Sequence, residues 1–254
     1  MTTRLAGALA LASLCLWSAA AGCAGRQRAN PCSWQAIEPA LVALERVDGR
    51  IGQDMRYAGP DNFLGRRAEG YGEPVCLLSC PAAFALAEVE SGLRARGLGL
   101  LVFDCYRPQR AVEDFVRWAG QPADGQTKAR YHPGVRKDRI VPEGYIAECS
   151  GHSRASTVDV TVVRYEHDGR AVPLEMGTPF DFFDPSAATD FPAIDQVARA
   201  HRDLLRSAME AAGFRNYPKE WWHYTLENEP YPATHFDVPV SRSSAIDSCA
   251  RPSS

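Results

Sequence analysis

Two short stretches far apart in the chain carry matching chemistry, and the fold must bring them together: Ser150-Gly-His-Ser-Arg-Ala-Ser-Thr-Val-Asp159 and Glu220-Trp-Trp-His223. Each offers one imidazole and one carboxylate. Two histidines and one carboxylate, with a fourth position left open, form a ligand set used for catalytic zinc. The remaining carboxylate is then free to act as general base towards a water at that open position. On this reading His152, Asp159 and His223 hold one Zn2+ per chain, and Glu220 takes the proton. Either stretch alone is a weak signal, since Glu-x-x-His arises by chance and a lone Asp suits any exposed strand face. Only the pair carries the reading.

The spacing also dictates local geometry. Thr157 to Val163 is strongly β-branched and reads as a strand. In a regular strand, side chains seven apart face opposite ways, so residues 151–156 must turn if His152 and Asp159 are to meet. Gly151 and the small serines permit that turn. Asp159 then alternates with Val158 and Val160, which face the core. Further on, Pro218 stops any helix and Trp221 to Leu226 is aromatic enough for a strand, with Glu220 at its mouth. The apolar run Leu98 to Phe103 reads as a buried strand that delivers Asp104-Cys-Tyr-Arg107-Pro108 at its end. Arg107 is the candidate for steadying an oxyanion, because a guanidinium stays charged and forks onto oxygen.

Helices are expected over Pro39 to Arg46, Ala82 to Arg96 with Pro81 in the first turn, Gln109 to Ala119, and Ala193 to Ala212 before Gly213. Residues 121–149 and 164–192 read as long connections, the first a surface excursion over the site with His132 an ordinary surface histidine. At 254 residues the chain is large enough for one full core. A net charge of −3 with mixed signs argues against a nucleic-acid partner.

Residues 1–22 have the form of an export signal: Arg4, an apolar run from Leu5 to Trp17, then small residues. Ala20-Ala-Gly-Cys23 is similar to a lipobox, so a lipid on Cys23 tethering the chain to a membrane is one expectation, and plain cleavage after Ala21 the other. Residues 23–33 read as a tether and 241–254 as a tail that Cys249 can pin back. Cys32, Cys76, Cys80, Cys105, Cys149 and Cys249 make an even set suited to an oxidising compartment. Six cysteines allow fifteen pairings, and spacing does not choose among them.

Taken together, Ser150-x-His152-x6-Asp159, Glu220-Trp-Trp-His223 and Asp104-x-Tyr-Arg107-Pro108 resemble the VanX-type D-alanyl-D-alanine dipeptidases. These are zinc peptidases grouped with the D,D-carboxypeptidases and the hedgehog-type fold. Arg56-Tyr-Ala, Asp61-Asn-Phe63, Cys76-Leu-Leu, Arg110-Ala-Val112 and Met176-Gly-Thr-Pro-Phe-Asp-Phe-Phe-Asp184 extend the likeness over about residues 50–230, in the family's order. The resemblance implies a single α+β domain over residues 34–240, with a central antiparallel sheet flanked by helices. It implies cleavage of D-Ala-D-Ala, with His152, Asp159 and His223 on zinc, Glu220 as base and Arg107 steadying the transition state. Ser150 and Asp104 fall where they would shape the substrate site, and the Phe180 region where it would wall a dipeptide-sized cavity.

Two positions depart from the family pattern: Ala155 stands where Gly is usual and Thr157 where Ala is usual. A Cβ at 155 matters if that turn uses positive φ. An exported D,D-dipeptidase suits salvage of D-Ala-D-Ala from the cell envelope, in a bacterial periplasm or its equivalent. The nearest alternative is a D,D-carboxypeptidase acting on peptidoglycan stem peptides. A non-catalytic lipoprotein that binds wall peptides is the alternative from another class, and would be marked by loss of Glu220 or a ligand.

Overall fold

The computed structural model describes residues 38–122 and 125–250, with the isolated positions Thr2 and Cys32. The expected signal, the tether and Cys23 lie outside the described residues. In chain order the elements are β1 (Leu41–Ala43), α1 (Leu44–Val47), β2 (Gly52–Gln53), β3 (Leu77–Ser79), α2 (Cys80–Arg94), β4 (Leu98–Asp104) and α3 (Gln109–Ala119). There follow α4 (Gly125–Tyr131), β5 (Thr157–Tyr165), β6 (Ala171–Pro173), α5 (Gln196–Ala211), β7 (Phe214–Asn216) and β8 (His223–Leu226).

The main sheet runs β2-β4-β5-β8-β7, with β6 also paired to β5. Every pairing in it is antiparallel except β2 with β4. This is the α+β class expected, with a short parallel edge added. The sheet's core face follows from strand alternation: Leu100 and Val102 of β4 and Val158, Val160 and Val162 of β5 are fully buried. Helices α2 and α5 pack beside one another against the sheet. Pro81 sits in the first turn of α2, whose Leu86, Val89 and Leu93 are buried. Helix α5 starts later than expected because Asp195 caps it, its carboxylate accepting the Val197 N–H at 2.8 Å.

Three expectations are corrected. Residues 39–46 do not form a helix: Leu41–Ala43 is a strand paired with β3, and only one helical turn follows. The run Leu41, Val42, Ala43, Leu44 is buried throughout, a pattern that a strand covered on both sides satisfies. Residues 121–149 are no bare excursion, since they include α4 and bury Tyr131, Ile140 and Ile146. His132 is accordingly not a surface residue: it is 1% exposed, its Nδ1 3.1 Å from the Val135 carbonyl and its ring edge-on to Trp118.

The cysteines pair as Cys32–Cys149, Cys76–Cys105 and Cys80–Cys249. The last joins the start of α2 to the C-terminal segment across 169 residues of sequence. That segment lies along the domain: Ile246 donates its N–H to the Leu41 carbonyl, and Arg242 pairs with Glu45 and Glu73.

Candidate active site

The site is a row across the sheet. Asp159 of β5 stands opposite His223 of β8 on one side and opposite Asp104 of β4 on the other. The β4 register shifts between Val102 and Asp104, so Phe103 and Asp104 together face Asp159. Such a bulge re-aims side chains at a strand's end. His152 reaches the same point from the turn that the spacing requires. Residues Gly151–Arg154 form a single 3-10 turn, which Ser150 caps by accepting the His152 N–H at 3.2 Å. The turn closes at Ala155, left-handed with φ +67°, a conformation to which Gly is better suited than Ala. A Cβ on Gly151 would lie 2.7 Å from Thr157 Oγ1, so any larger residue there would have to displace that side chain or the turn.

Three ligand-type atoms converge. His152 Nε2 lies 3.2 Å from Asp159 Oδ1 and 3.3 Å from His223 Nδ1, and His223 Nδ1 lies 3.1 Å from Asp159 Oδ1. The other nitrogen of His152, Nδ1, is 2.7 Å from the carbonyl oxygen of Cys105. A carbonyl only accepts, so Nδ1 carries the proton and Nε2 presents a lone pair. Lone pairs of Nε2 and of a carboxylate facing one another at that distance repel unless a proton or a cation lies between them. Edges of 3.1–3.3 Å are also those of one face of a tetrahedron with bonds of about 2.0 Å, the length of zinc bonds to nitrogen and oxygen. The donor set therefore fits a divalent metal, and a carbonyl on the far nitrogen is the usual second partner of a metal-bound histidine.

Charge around the triangle is arranged in layers. Asp104, fully buried, accepts from Arg107 Nε at 2.9 Å and from the Tyr71 hydroxyl at 2.6 Å. Burial works against the Arg107 charge, yet Asp104 beside it raises the guanidinium's pKa well above its ordinary value, so it stays cationic. Arg107 Nη2 also lies 3.5 Å from Asp159 Oδ2, and its plane sits over Tyr57 and Phe115. Burial opposes ionisation of Asp159, but the two imidazoles against it, when either carries a second proton, supply charge and hydrogen bonds that bring its pKa below the ordinary value. Glu220 is moved the other way: burial pushes its carboxyl well up, and Asp159 and Asp181 add to that. The turn after β7 holds Glu220 beside the triangle, with Oε2 3.5 Å from His223 Nδ1.

These groups open onto a cavity of about 210 Å3, lined by Arg107, Ser150, Asp159, Glu220 and His223 among others. That is below the ~300–1,000 Å3 typical of pockets for drug-sized ligands, and suits a very small molecule. Asp104 and His152 stand behind its wall. Phe180 does too: it stacks on Phe103 and meets Trp222 edge-on, while its neighbours Asp181 and Phe183 line the space. Phe180 and Asp181 lie in a turn, where Asp181 has φ +59°.

Sequence reasoning passed over two lining residues, Tyr57 and Asp181. The Tyr57 hydroxyl donates to the Asp181 carboxylate, 3.0 and 2.9 Å from its two oxygens. Burial, followed by Asp159, raises the Asp181 pKa well above its ordinary value. An Asp between two phenylalanines was the available signal.

Residues 38–241 match the family described as Peptidase_M15, D-ala-D-ala dipeptidase. A D-alanyl-D-alanine dipeptidase from Streptomyces coelicolor is 42% identical over 197 residues, covering 78% of this chain and 96% of that protein. Proteins of the same name from Enterococcus faecalis and Enterococcus faecium are each 38% identical, covering 81% and 80% of this chain and the whole of theirs. A match over most of the chain, on the stretches that build the cavity, places this protein in the Peptidase_M15 family of D-ala-D-ala dipeptidases.

Proposed function

We propose that the protein is a zinc-dependent D-alanyl-D-alanine dipeptidase that works in the cell envelope. The observation that carries the reading is the triangle of His152 Nε2, Asp159 Oδ1 and His223 Nδ1, with the His152 tautomer set by the Cys105 carbonyl. Zinc held there would supply Lewis acidity, lowering the pKa of a water from ~15.7 towards ~7. Glu220 takes the proton as the water oxygen attacks the peptide carbonyl, and returns it to the amine nitrogen as the C–N bond breaks. Arg107, fixed by Asp104, meets the negative charge that forms on the carbonyl oxygen. Asp181, held by Tyr57, offers its carboxyl group to the ammonium of a free dipeptide, whose positive charge would oppose the burial and the Asp159 charge that raise its pKa. Ser150 holds the His152 turn, at the edge of the cavity.

The small cavity favours a free dipeptide over stem peptides with the same terminus. Three disulfides support export to an oxidising compartment, with Cys23 as the point of a lipid tether. Purified protein given D-Ala-D-Ala and, separately, a stem pentapeptide ending in D-Ala-D-Ala tests the reading. We expect two D-alanines from the dipeptide, little release from the pentapeptide, and neither from Glu220→Gln. Zinc-loaded protein that leaves the dipeptide intact and cleaves the pentapeptide would make it a D,D-carboxypeptidase instead.

A further inference from the structure

We infer that Arg202, on α5 and outside the cavity, is a positioning residue that sets the cavity wall bearing Asp181. Its side chain is fully buried. No carboxylate pairs with it among the described residues. Instead Nε donates to the Met176 carbonyl at 2.7 Å, Nη1 to the Ala188 carbonyl at 2.6 Å and Nη2 to the Ser186 carbonyl at 3.1 Å. One rigid fork thus ties together both ends of the segment 176–188.

That segment is the wall. It carries Asp181, whose left-handed backbone, φ +59°, is uncommon outside glycine though Asp tolerates it better than most residues. Its flanks also hold the residue that follows Glu220: Trp221 donates its N–H to the Ala187 carbonyl and its Nε1–H to Thr178 Oγ1. A buried guanidinium without a counter-ion is costly. Burial brings the Arg202 pKa down to about 10, which leaves it charged at neutral pH. An apolar residue of similar length would avoid the cost of burying the charge but would take the donor from the Met176 and Ser186 carbonyls, leave Ala188 with the Phe191 N–H alone, and release the wall.

The inference rests on the dipeptidase reading, with Asp181 meeting the substrate ammonium. That contact is made alike in ground state and transition state, so the loss that comes through Asp181 appears as a raised KM, while any shift passed to Glu220 through Trp221 appears in kcat. The test compares wild type with Arg202→Met and Arg202→Lys on D-Ala-D-Ala and on N-acetyl-D-Ala-D-Ala, which has no ammonium, with zinc content measured in each. A misplaced wall costs about 10–100-fold, so we expect Arg202→Met to raise the dipeptide KM by at least tenfold with zinc retained. Its preference for the free amine over the acetylated analogue should shrink in proportion, and Arg202→Lys should restore part of it. If Arg202→Met fails to fold, Arg202→Ala with added guanidinium provides the same comparison. Variants with lowered thermal stability but unchanged KM and unchanged amine preference would reduce Arg202 to a structural residue and overturn the inference. Inactive wild type would instead remove the dipeptidase reading beneath it.

Discussion

His152 gives its Nδ1–H to the carbonyl of Cys105 at 2.7 Å, and that one bond decides which nitrogen faces Asp159 and His223. The ring is fully buried and cannot swing away, so its bare Nε2 is held in the triangle whatever fills the centre. The first prediction concerns that centre. Losing a partner outside the ligand set typically weakens a metal site by ~10–100-fold, and losing a ligand should do more. His223→Ala should therefore bind zinc more than 100-fold more weakly in a chelator competition. Zinc held as tightly as in wild type would contradict the assignment.

The pH profile tests Glu220. Burial raises its carboxyl above the ordinary 4.5. A base with a raised pKa is protonated and idle below it, so kcat/KM should climb as pH rises through a value above 4.5. Glu220→Gln should lower turnover by ~10²–10⁴-fold across the whole range. Full activity in the variant, or a wild-type profile flat down to pH 4.5, would remove Glu220 from this role.

A separate carboxylate should govern acid stability. Asp114 is buried, which raises its pKa, but two 2.8 Å bonds from Arg66 draw it below the ordinary 3.8. The folded value is then lower than the unfolded one. Its stabilisation is complete above pH 3.8 and fades as pH falls through the lowered value. Asp114→Asn should flatten that part of the curve of urea midpoint against pH. An unchanged slope would mean the pair contributes nothing there.

Disulfides should divide into two kinds. Cys80–Cys249 lies at the C-terminal segment, so Cys80→Ser with Cys249→Ser should cost about 2–4 kcal/mol of stability and leave zinc affinity alone. Cys76–Cys105 anchors the residue whose carbonyl orients His152. Its removal should weaken zinc binding as well as folding. Equal zinc affinities in the two double variants would show that the hydrogen bond alone suffices.

The triangle was legible in the sequence because its chemistry sits in short motifs, and because seven-residue spacing in a strand demanded the turn now seen at Gly151–Arg154. Strand β5, helix α3 and the site's position at the end of β4 followed from local pattern. Long-range packing was less readable. Leu41–Ala43 became a strand only because β3 lies alongside, and His132 is buried in an otherwise polar stretch by packing edge-on against Trp118 of α3 and by its contact with the Val135 carbonyl. Tyr57 and Asp181 meet across 124 residues, and no spacing announces that pair. Ala155 was the reverse case: a departure from Gly pointed to the positive φ that the backbone adopts.

The most direct test of the central claim is a zinc titration into metal-free protein while D-alanine release from D-Ala-D-Ala is followed. Activity should rise linearly and level off at one zinc per chain, then vanish on adding a chelator. Activity in metal-free protein that neither zinc nor chelator changes would contradict a metal site built from His152, Asp159 and His223.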